Sequence, residues 1–492
     1  MRKHILAVAL VAAGAMLVEA GCSGPGTGGT SHLVPTPGTV AVFGGDTPSC
    51  SVISFNVTIT GLTLAPQSGS SSVSLLPSGT AVTVDFASLM DFATMFSLSS
   101  VPAGIYNSLG ISLSNPQLTY VDTSTTPSSV KTIAPNLTAL TVNLNFSPAI
   151  TVASGGSLAL QLDFNLLDSV TAGSNNQFTV TPTFTVNLAS ASGSNGFAQF
   201  DDLSGLVQSV RTSSTNPSFV GSFTISRPNA QTFTVNVNSS TSFAGVSGLS
   251  GLTVGTFVEM NAFLDSNANV VANTVVAEAQ EDASSGEAAF TGLITSVTPP
   301  SGNATQITLL VREENPNVSS QVPLYSLLTI DILPSTTFGL TAQPADFANF
   351  AFGASSLAVG QRVVVHGTLP GGNSGAAQNA TARSIFLGLQ SVLGNLSTNP
   401  STPVNIANDG VDGGFTLVPC SPLFQSAPIT ALVNQQTACV GISNLSSLTN
   451  PGAHFLLVKG LLFYEQSTTT FGVETWIAPA DVQVATQVHQ MP

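Results

Sequence analysis

Val254-Gly255-Thr256-Phe257-Val258-Glu259-Met260-Asn261-Ala262-Phe263-Leu264 returns later in the chain as Val359-Gly360-Gln361-Arg362-Val363-Val364-Val365-His366-Gly367-Thr368-Leu369. A more divergent copy reads Pro451-Gly452-Ala453-His454-Phe455-Leu456-Leu457-Val458-Lys459-Gly460-Leu461. Each opens at a Gly and runs into apolar, β-branched residues, the pattern of a long strand that must bend. Each is followed by another β-rich stretch, at 273–278, 380–386 and 472–478. Two copies are also preceded by matching segments. Leu203-Ser204-Gly205-Leu206-Val207-Gln208-Ser209-Val210 aligns with Phe290-Thr291-Gly292-Leu293-Ile294-Thr295-Ser296-Val297. A bent strand closed by a returning hairpin is a small barrel unit. The repeats divide the chain into units at 198–280, 287–388 and 389–487, each of normal domain size.

Upstream, the alternation has period two. Ser54–Thr60, Val82–Phe86, Leu140–Phe146 and Phe178–Val186 alternate apolar residues with Thr, Asn or Ser, as half-buried strands do. Residues 38–190 therefore read as a β-sandwich. Residues 22–37 form a tether, and Ala189–Gly196 and Glu278–Glu287 are linkers. Ala87–Phe96 is the best helical segment, with Leu89, Met90, Phe92, Ala93 and Phe96 on one face; a core-packed crossover turn is the preferred alternative. The expected class is all-β: a sandwich followed by three small barrels, with little helix.

The chain has 492 residues, a net charge of −15 and only 7% charged residues. Nine Lys plus Arg against 24 Asp plus Glu oppose nucleic-acid binding, which depends on neutralising phosphates. Arg2, Lys3 and His4 precede an uncharged apolar run, Ile5–Val18, too short to span a bilayer and long enough for a signal-peptide core. No later stretch reads as a membrane-spanning helix. Leu17-Val18-Glu19-Ala20-Gly21-Cys22 resembles a lipobox, which would place a lipid on Cys22 after removal of residues 1–21. Val18-Glu19-Ala20 also reads as an ordinary cleavage site that would leave Cys22 a thiol. The Gly/Ser/Thr/Pro tether that follows favours the lipid anchor. Cys420 and Cys439 enclose a short loop and are candidate disulfide partners; two buried thiols is the alternative, with Cys50 left over.

Two resemblances cover nearly all of the chain after the tether. Gly38-Thr39-Val40-Ala41-Val42 with Asp46-Thr47-Pro48, Val101–Leu109 and Leu160–Leu166 resemble an N-terminal domain of unknown function found in bacterial envelope lipoproteins. The Val-Gly-x-x-Val strands resemble a repeat domain of such proteins, which implies an OB-like barrel for each unit. Both imply fold and location; neither implies an activity.

Catalytic constellations are sparse. There is no Gly-x-Ser-x-Gly. His32 and His489 fall in the tether and tail, while His366 and His454 occupy nearby positions in the repeated strand, a structural placing. A glycosidase needs two facing carboxylates, and Asp85, Asp91, Asp163 and Asp168 are the group to watch. Asp265, Asn267 and Asn269 have the alternation of calcium ligands, but lack the Gly and distal Glu of an EF-hand. A hairpin turn, which Asn and Asp favour, is the preferred reading, and Asn408–Gly414 reads the same way. Trp476, the sole Trp, beside Glu474, is a candidate glycan contact or a core residue. The expectation is an exported, lipid-anchored, non-enzymatic envelope protein with structural, adhesive or binding modules and no cofactor or metal. Its partners would be the membrane, through the lipid, and a glycan or another envelope protein. A polysaccharide-binding accessory protein of an uptake system and a carboxylate hydrolase are the alternatives.

Overall fold

Residues 40–43, Val-Ala-Val-Phe, carry no polar side chain for a wet face, and the fold covers both faces of their strand. The structure, a computed structural model, describes residues 35–47, 49–69, 71–89, 93–124, 129–173, 177–189, 198–227, 231–277, 287–314, 321–341, 352–370, 379–396, 413–424, 428–433, 438–440, 455–465, 475–479 and 487–490. The N-terminal sandwich contains β1 (Gly38–Thr47), β2 (Val52–Pro66), β3 (Val73–Ser74), β4 (Val82–Asp85), β5 (Thr94–Val101), β6 (Gly104–Asp122), β7 (Ser129–Ile133), β8 (Asn136–Leu137), β9 (Thr141–Val152), β10 (Ser157–Asn165), β11 (Val170–Ala172), β12 (Phe178–Val180) and β13 (Phe184–Ala189). One sheet runs β13-β10-β1-β5; the other runs β3-β2-β6-β7, with β4 on β2 and β9 on β6, and a short sheet orders β11-β12-β8. Val40 and Val42 point into the sandwich with Leu160, Leu162, Val57 and Ile59. Phe164 is the hub, with ring centroids 4.7 Å from Phe86, 4.8 Å from Phe184 and 5.3 Å from Phe55. Each such pair adds roughly 0.5–1.5 kcal/mol beyond its burial.

Among the described residues of 87–96, the apolar spacing does not make an α-helix. Phe86–Leu89 form one 3-10 turn, whose Phe86, Ala87 and Leu89 are buried, and β5 begins at Thr94. The turn buries Phe86, Ala87 and Leu89 in the sandwich core, so tertiary packing rather than helical periodicity places them.

Three further modules follow. The first has β14 (Ala198–Arg211), β15 (Gly221–Ser226), β16 (Thr232–Val237), β17 (Ser242–Ala244), β18 (Phe257–Leu264) and β19 (Val270–Ala277). The second has β20 (Glu287–Thr298), β21 (Gln306–Glu314), β22 (Leu327–Leu340), β23 (Arg362–Thr368) and β24 (Asn379–Leu387). The third has β25 (Leu389–Leu396), β26 (Gly413–Pro419), β27 (Ile429–Val433), β28 (Ala438–Val440), β29 (Phe455–Leu461), β30 (Phe463–Glu465), β31 (Thr475–Pro479) and β32 (Gln487–Gln490).

The second module closes as β20-β21-β22-β24-β23, with β22 and β24 parallel. The first closes the same way, β14-β15-β16-β19-β18, through the parallel β16–β19 pairing. In the third, β25-β26-β27-β31-β30 repeats the order with β27 and β31 parallel. Leu462 alone separates β30 from β29, which returns to β25, while β32 and β28 extend that side. First-second-third-fifth-fourth, closing on the first, is the order of a five-stranded OB-type Greek-key barrel.

The repeated glycines have one physical role each. A Cβ on Gly205, Gly292 or Gly394 would sit 2.8, 2.2 or 2.3 Å from the carbonyl oxygen of Ser226, Leu310 or Val418 on the facing strand. Gly255 and Gly360, at φ 89° and 91°, turn into the fourth strand and donate N–H to Val207 O and Ile294 O, both at 2.8 Å.

The modules share cores. Ala41 and Phe43, on the outer face of β1, pack with Met95 and Ala159 into the core of the first barrel. Leu461 and Phe463 of the third module complete the second barrel's core. Ile53, Leu293, Leu310 and Leu423 form a small cluster shared by the sandwich and the last two modules. No helix among the described residues is long and apolar enough to cross a membrane.

Candidate ligand cavity at the junction of the modules

Arg312-Glu313-Glu314 is the one run of three consecutive charged residues in the chain. It ends β21; Arg312 reaches the sandwich, and Glu313 pairs with Arg362 of its own barrel. A cavity of about 160 Å³ opens there. All four modules line it: Cys50, Ile53 and Asp85 from the sandwich, Ser204 and Arg227 from the first barrel, Leu293, Arg312, Tyr325 and Arg362 from the second, and Ser391, Cys420 and Leu423 from the third.

Asp85 ends β4, and its side chain is only 2% exposed. Its Oδ1 accepts the Phe55 N–H at 2.8 Å, and its Oδ2 lies 3.5 Å from Arg312 Nε. Arg312 Nη2 donates to Ile53 O at 2.7 Å. One guanidinium thus binds a carboxylate and a carbonyl of a domain more than two hundred residues away in sequence. Burial raises the Asp85 carboxyl above its usual range, against the pull of Arg312. Beside this pair, Arg362 Nη2 donates to Glu313 Oε1 at 3.2 Å. Gln390, on the first strand of the third module, accepts from Arg362 N and donates to Gly360 O, both at 2.7 Å. Gln361, fully buried, donates to Ser356 O and Leu462 O, both at 2.9 Å, and ties the second barrel to the third module. Arg227 Nη1 donates to Met95 O at 3.1 Å and Gln231 Nε2 to Phe96 O at 2.6 Å, holding the first barrel to β5.

Tyr325 stands on a turn in which Ser326 N–H and Oγ–H both donate to Pro323 O, and its own N–H donates to Val311 O at 2.7 Å. Its φ is +65°, a left-handed backbone that costs a bulky residue of order 1–3 kcal/mol. Burial, then the Asp85 charge, raises the phenol well above its usual range, so it stays a neutral hydrogen-bond donor.

The cavity wall also holds the chain's described disulfide, Cys50–Cys420, with Cα atoms 5.1 Å apart. The pairing expected between Cys420 and Cys439 is therefore corrected. Cys439 lies in β28, and β32, β29 and β25 stand between it and β26, which ends just before Cys420. Cys420 gives its one sulfur bond to Cys50 and has none left for Cys439. Sequence proximity chose the wrong partner.

The other sequence candidates fall elsewhere. Asp265 caps its own hairpin: Oδ1 accepts from Asn267 N at 2.9 Å and Asn269 N at 2.8 Å, and Oδ2 accepts from Asn269 Nδ2 at 2.8 Å. Those bonds make a β18–β19 turn and leave the loop's carboxylate committed to its own backbone. No cluster of three His, Cys, Asp or Glu able to hold a metal occurs among the described residues. Of the watched carboxylates, only Asp85 lines the cavity among the described residues. Asp163 lies instead near Asp46, whose carboxyl is raised first by burial and then by Asp163. Asp168 closes the cap of a one-turn helix with Asn165. Asp91, His32, His454, Glu474, Cys22 and residues 408–412 lie outside the described residues. Trp476 places its backbone in β31 between Ile429 and Tyr464; its side chain is outside them too. His366 meets the Phe386 ring edge-on at 5.7 Å across β23–β24.

Comparison with family models matches residues 37–182 to a domain of unknown function, DUF4382, and residues 204–275 to another, DUF5666. No curated protein matches the chain by sequence. Among solved structures, "drosophila Unr CSD456" aligns over 59% of this chain and 97% of its own at 11% identity with a TM-score of 0.14, too weak a likeness to carry an argument. The chain is thus similar to two domain families, one over the sandwich and one over the first barrel.

Proposed function

We propose that this chain is an exported cell-envelope protein, anchored by a lipid on Cys22, and that it binds rather than catalyses. The Cys50–Cys420 disulfide carries the export reading, because such bonds persist in oxidising compartments outside the cytosol. The signal-like segment and the tether point the same way. Binding is favoured over catalysis by how the cavity spends its charges. Asp85 holds Arg312 and the Phe55 N–H, and Glu313 holds Arg362, so each carboxylate that lines the cavity is engaged by an arginine. Loops and strand ends on a locked scaffold suit a recognition site.

The test is to express the whole chain in a bacterium, fractionate it and weigh the N-terminal peptide. A diacylglycerol and an acyl chain on Cys22, with loss of membrane retention in Cys22→Ala, are expected. An unmodified Cys22 in a soluble fraction would replace the anchor with ordinary cleavage. Retention of the purified chain on isolated envelope or insoluble polysaccharides then tests the partner class.

A further inference from the structure

We propose that the junction cavity binds a small monocarboxylate whose apolar body is about the size of a benzene ring. The proposal deepens the binding reading above and rests on it.

Size comes first. The cavity of about 160 Å³ is close to the roughly 150 Å³ that accepts benzene in a protein core. Part of its wall is apolar, from Ile53, Leu293, Leu423 and Phe424. Donors come next. Arg312 commits Nη2 to Ile53 O and sets Nε against Asp85; Nη1 has no partner among the described residues. Tyr325 lines the cavity, and its hydroxyl likewise makes no hydrogen bond among the described residues. Ser391 Oγ is buried without a hydrogen bond. A buried donor such as Ser391 Oγ costs stability if left unmet, and native folds keep such a group where something else meets it. A carboxylate accepts from a guanidinium N–H and a phenol together.

Charge narrows the class. Of the seven Lys and Arg beyond residue 22, three line this cavity in a chain of net charge −15. That concentration favours an anion. Asp85 and Glu313 share the space and would repel a dianion. A monoanion with an apolar body meets all three conditions.

Benzoate is the probe, titrated calorimetrically into the purified full-length chain, with benzamide and inorganic phosphate as comparisons. Benzoate is expected to bind in the low-millimolar range or tighter, about tenfold or more ahead of benzamide, with phosphate not competing. Tyr325→Phe should weaken benzoate about five- to tenfold while leaving the fold intact by circular dichroism. Leu293→Trp, which fills the apolar end, should abolish binding and serves if Tyr325→Phe fails to fold. Equal affinity for benzamide, an unchanged affinity in both variants, or no heat at about 10 mM benzoate overturns the proposal. The Cys22 and retention assays are untouched by any of these results, so the two readings fail separately.

Discussion

Cutting the Cys50–Cys420 bridge should release the third module before anything else moves. The two cysteines are 370 residues apart in sequence. The chain-entropy expression for a loop that long gives about 6 kcal/mol at 25 °C, above the roughly 5 kcal/mol that disulfides deliver at most. Residual structure in the denatured chain lowers that figure, so about 3–5 kcal/mol is expected. Beside the bridge, Leu423 packs near Ile53 in a small shared cluster. The third module's firmer hold is on the second barrel, through Leu461, Phe463 and Gln390. Cys420→Ser should therefore loosen the sandwich from the third module while the barrels stay folded. Guanidinium denaturation of wild type and variant, followed by domain-resolved hydrogen exchange, reads this directly. Faster exchange should centre on Asp85, Leu423 and the ends of β2 and β26, with the sandwich core around Phe164 protected. A shift below about 1 kcal/mol, or a mass map showing Cys420 joined to Cys439, would refute the reasoning.

Two further perturbations follow from buried groups. Glu314 is 6% exposed, and burial pushes its carboxyl up to about 8, against 4.5 unfolded. The folded state thus keeps a proton that the unfolded state has lost. Its contribution falls as pH rises from about 4.5 to 8 and is level above. Glu314→Gln should flatten that slope and raise stability at pH 8 by about 2–4 kcal/mol, measured as denaturation midpoints from pH 4 to 9. In the barrels, Gly292→Ala puts a Cβ 2.2 Å from Leu310 O and should cost about 2–4 kcal/mol. Gly104→Ala, whose Cβ would meet only the Tyr106 ring at 3.8 Å, should stay within about 1 kcal/mol; similar melting temperatures for the two would remove the steric account of the repeat.

The sequence made the barrels legible because their constraints are local. A Gly opens the bent strand, a second Gly sits under the facing carbonyl, and each recurs at the same place within its repeated segment. The all-β class followed from period-two alternation in the same way. The cavity was far less legible, since it joins residues from all four modules. Arg312-Glu313-Glu314 was the available signal: three adjacent charges at the end of a strand, in a chain with 7% charge. Tyr325 gave none, because a left-handed backbone at a Tyr leaves no mark in composition. The cysteines show the limit from the other side. Proximity in sequence favoured Cys420 with Cys439, whereas sheet order separates them and module docking brings Cys50 across.

A buried ion pair such as Asp85–Arg312 is a poor way to gain stability, because desolvating both charges offsets most of their attraction. Its value here lies in specificity of docking. Removing either partner leaves the other buried and unmatched, so the pair penalises any arrangement that does not bring β4 against β21. The hydrogen bonds of Arg227, Gln361 and Gln390 act on neighbouring junctions in the same sense. Each ties a side chain of one module to a backbone group of another, and so reads position rather than mere contact. A molecule in the cavity would touch the assembled form and find no such site on separated modules. Its binding free energy would then add to the docking equilibrium, by about 2.7 kcal/mol at a hundredfold excess over its Kd. The disulfide, the ion pair and an occupant thus act on one equilibrium, the closure of four modules around a shared polar centre.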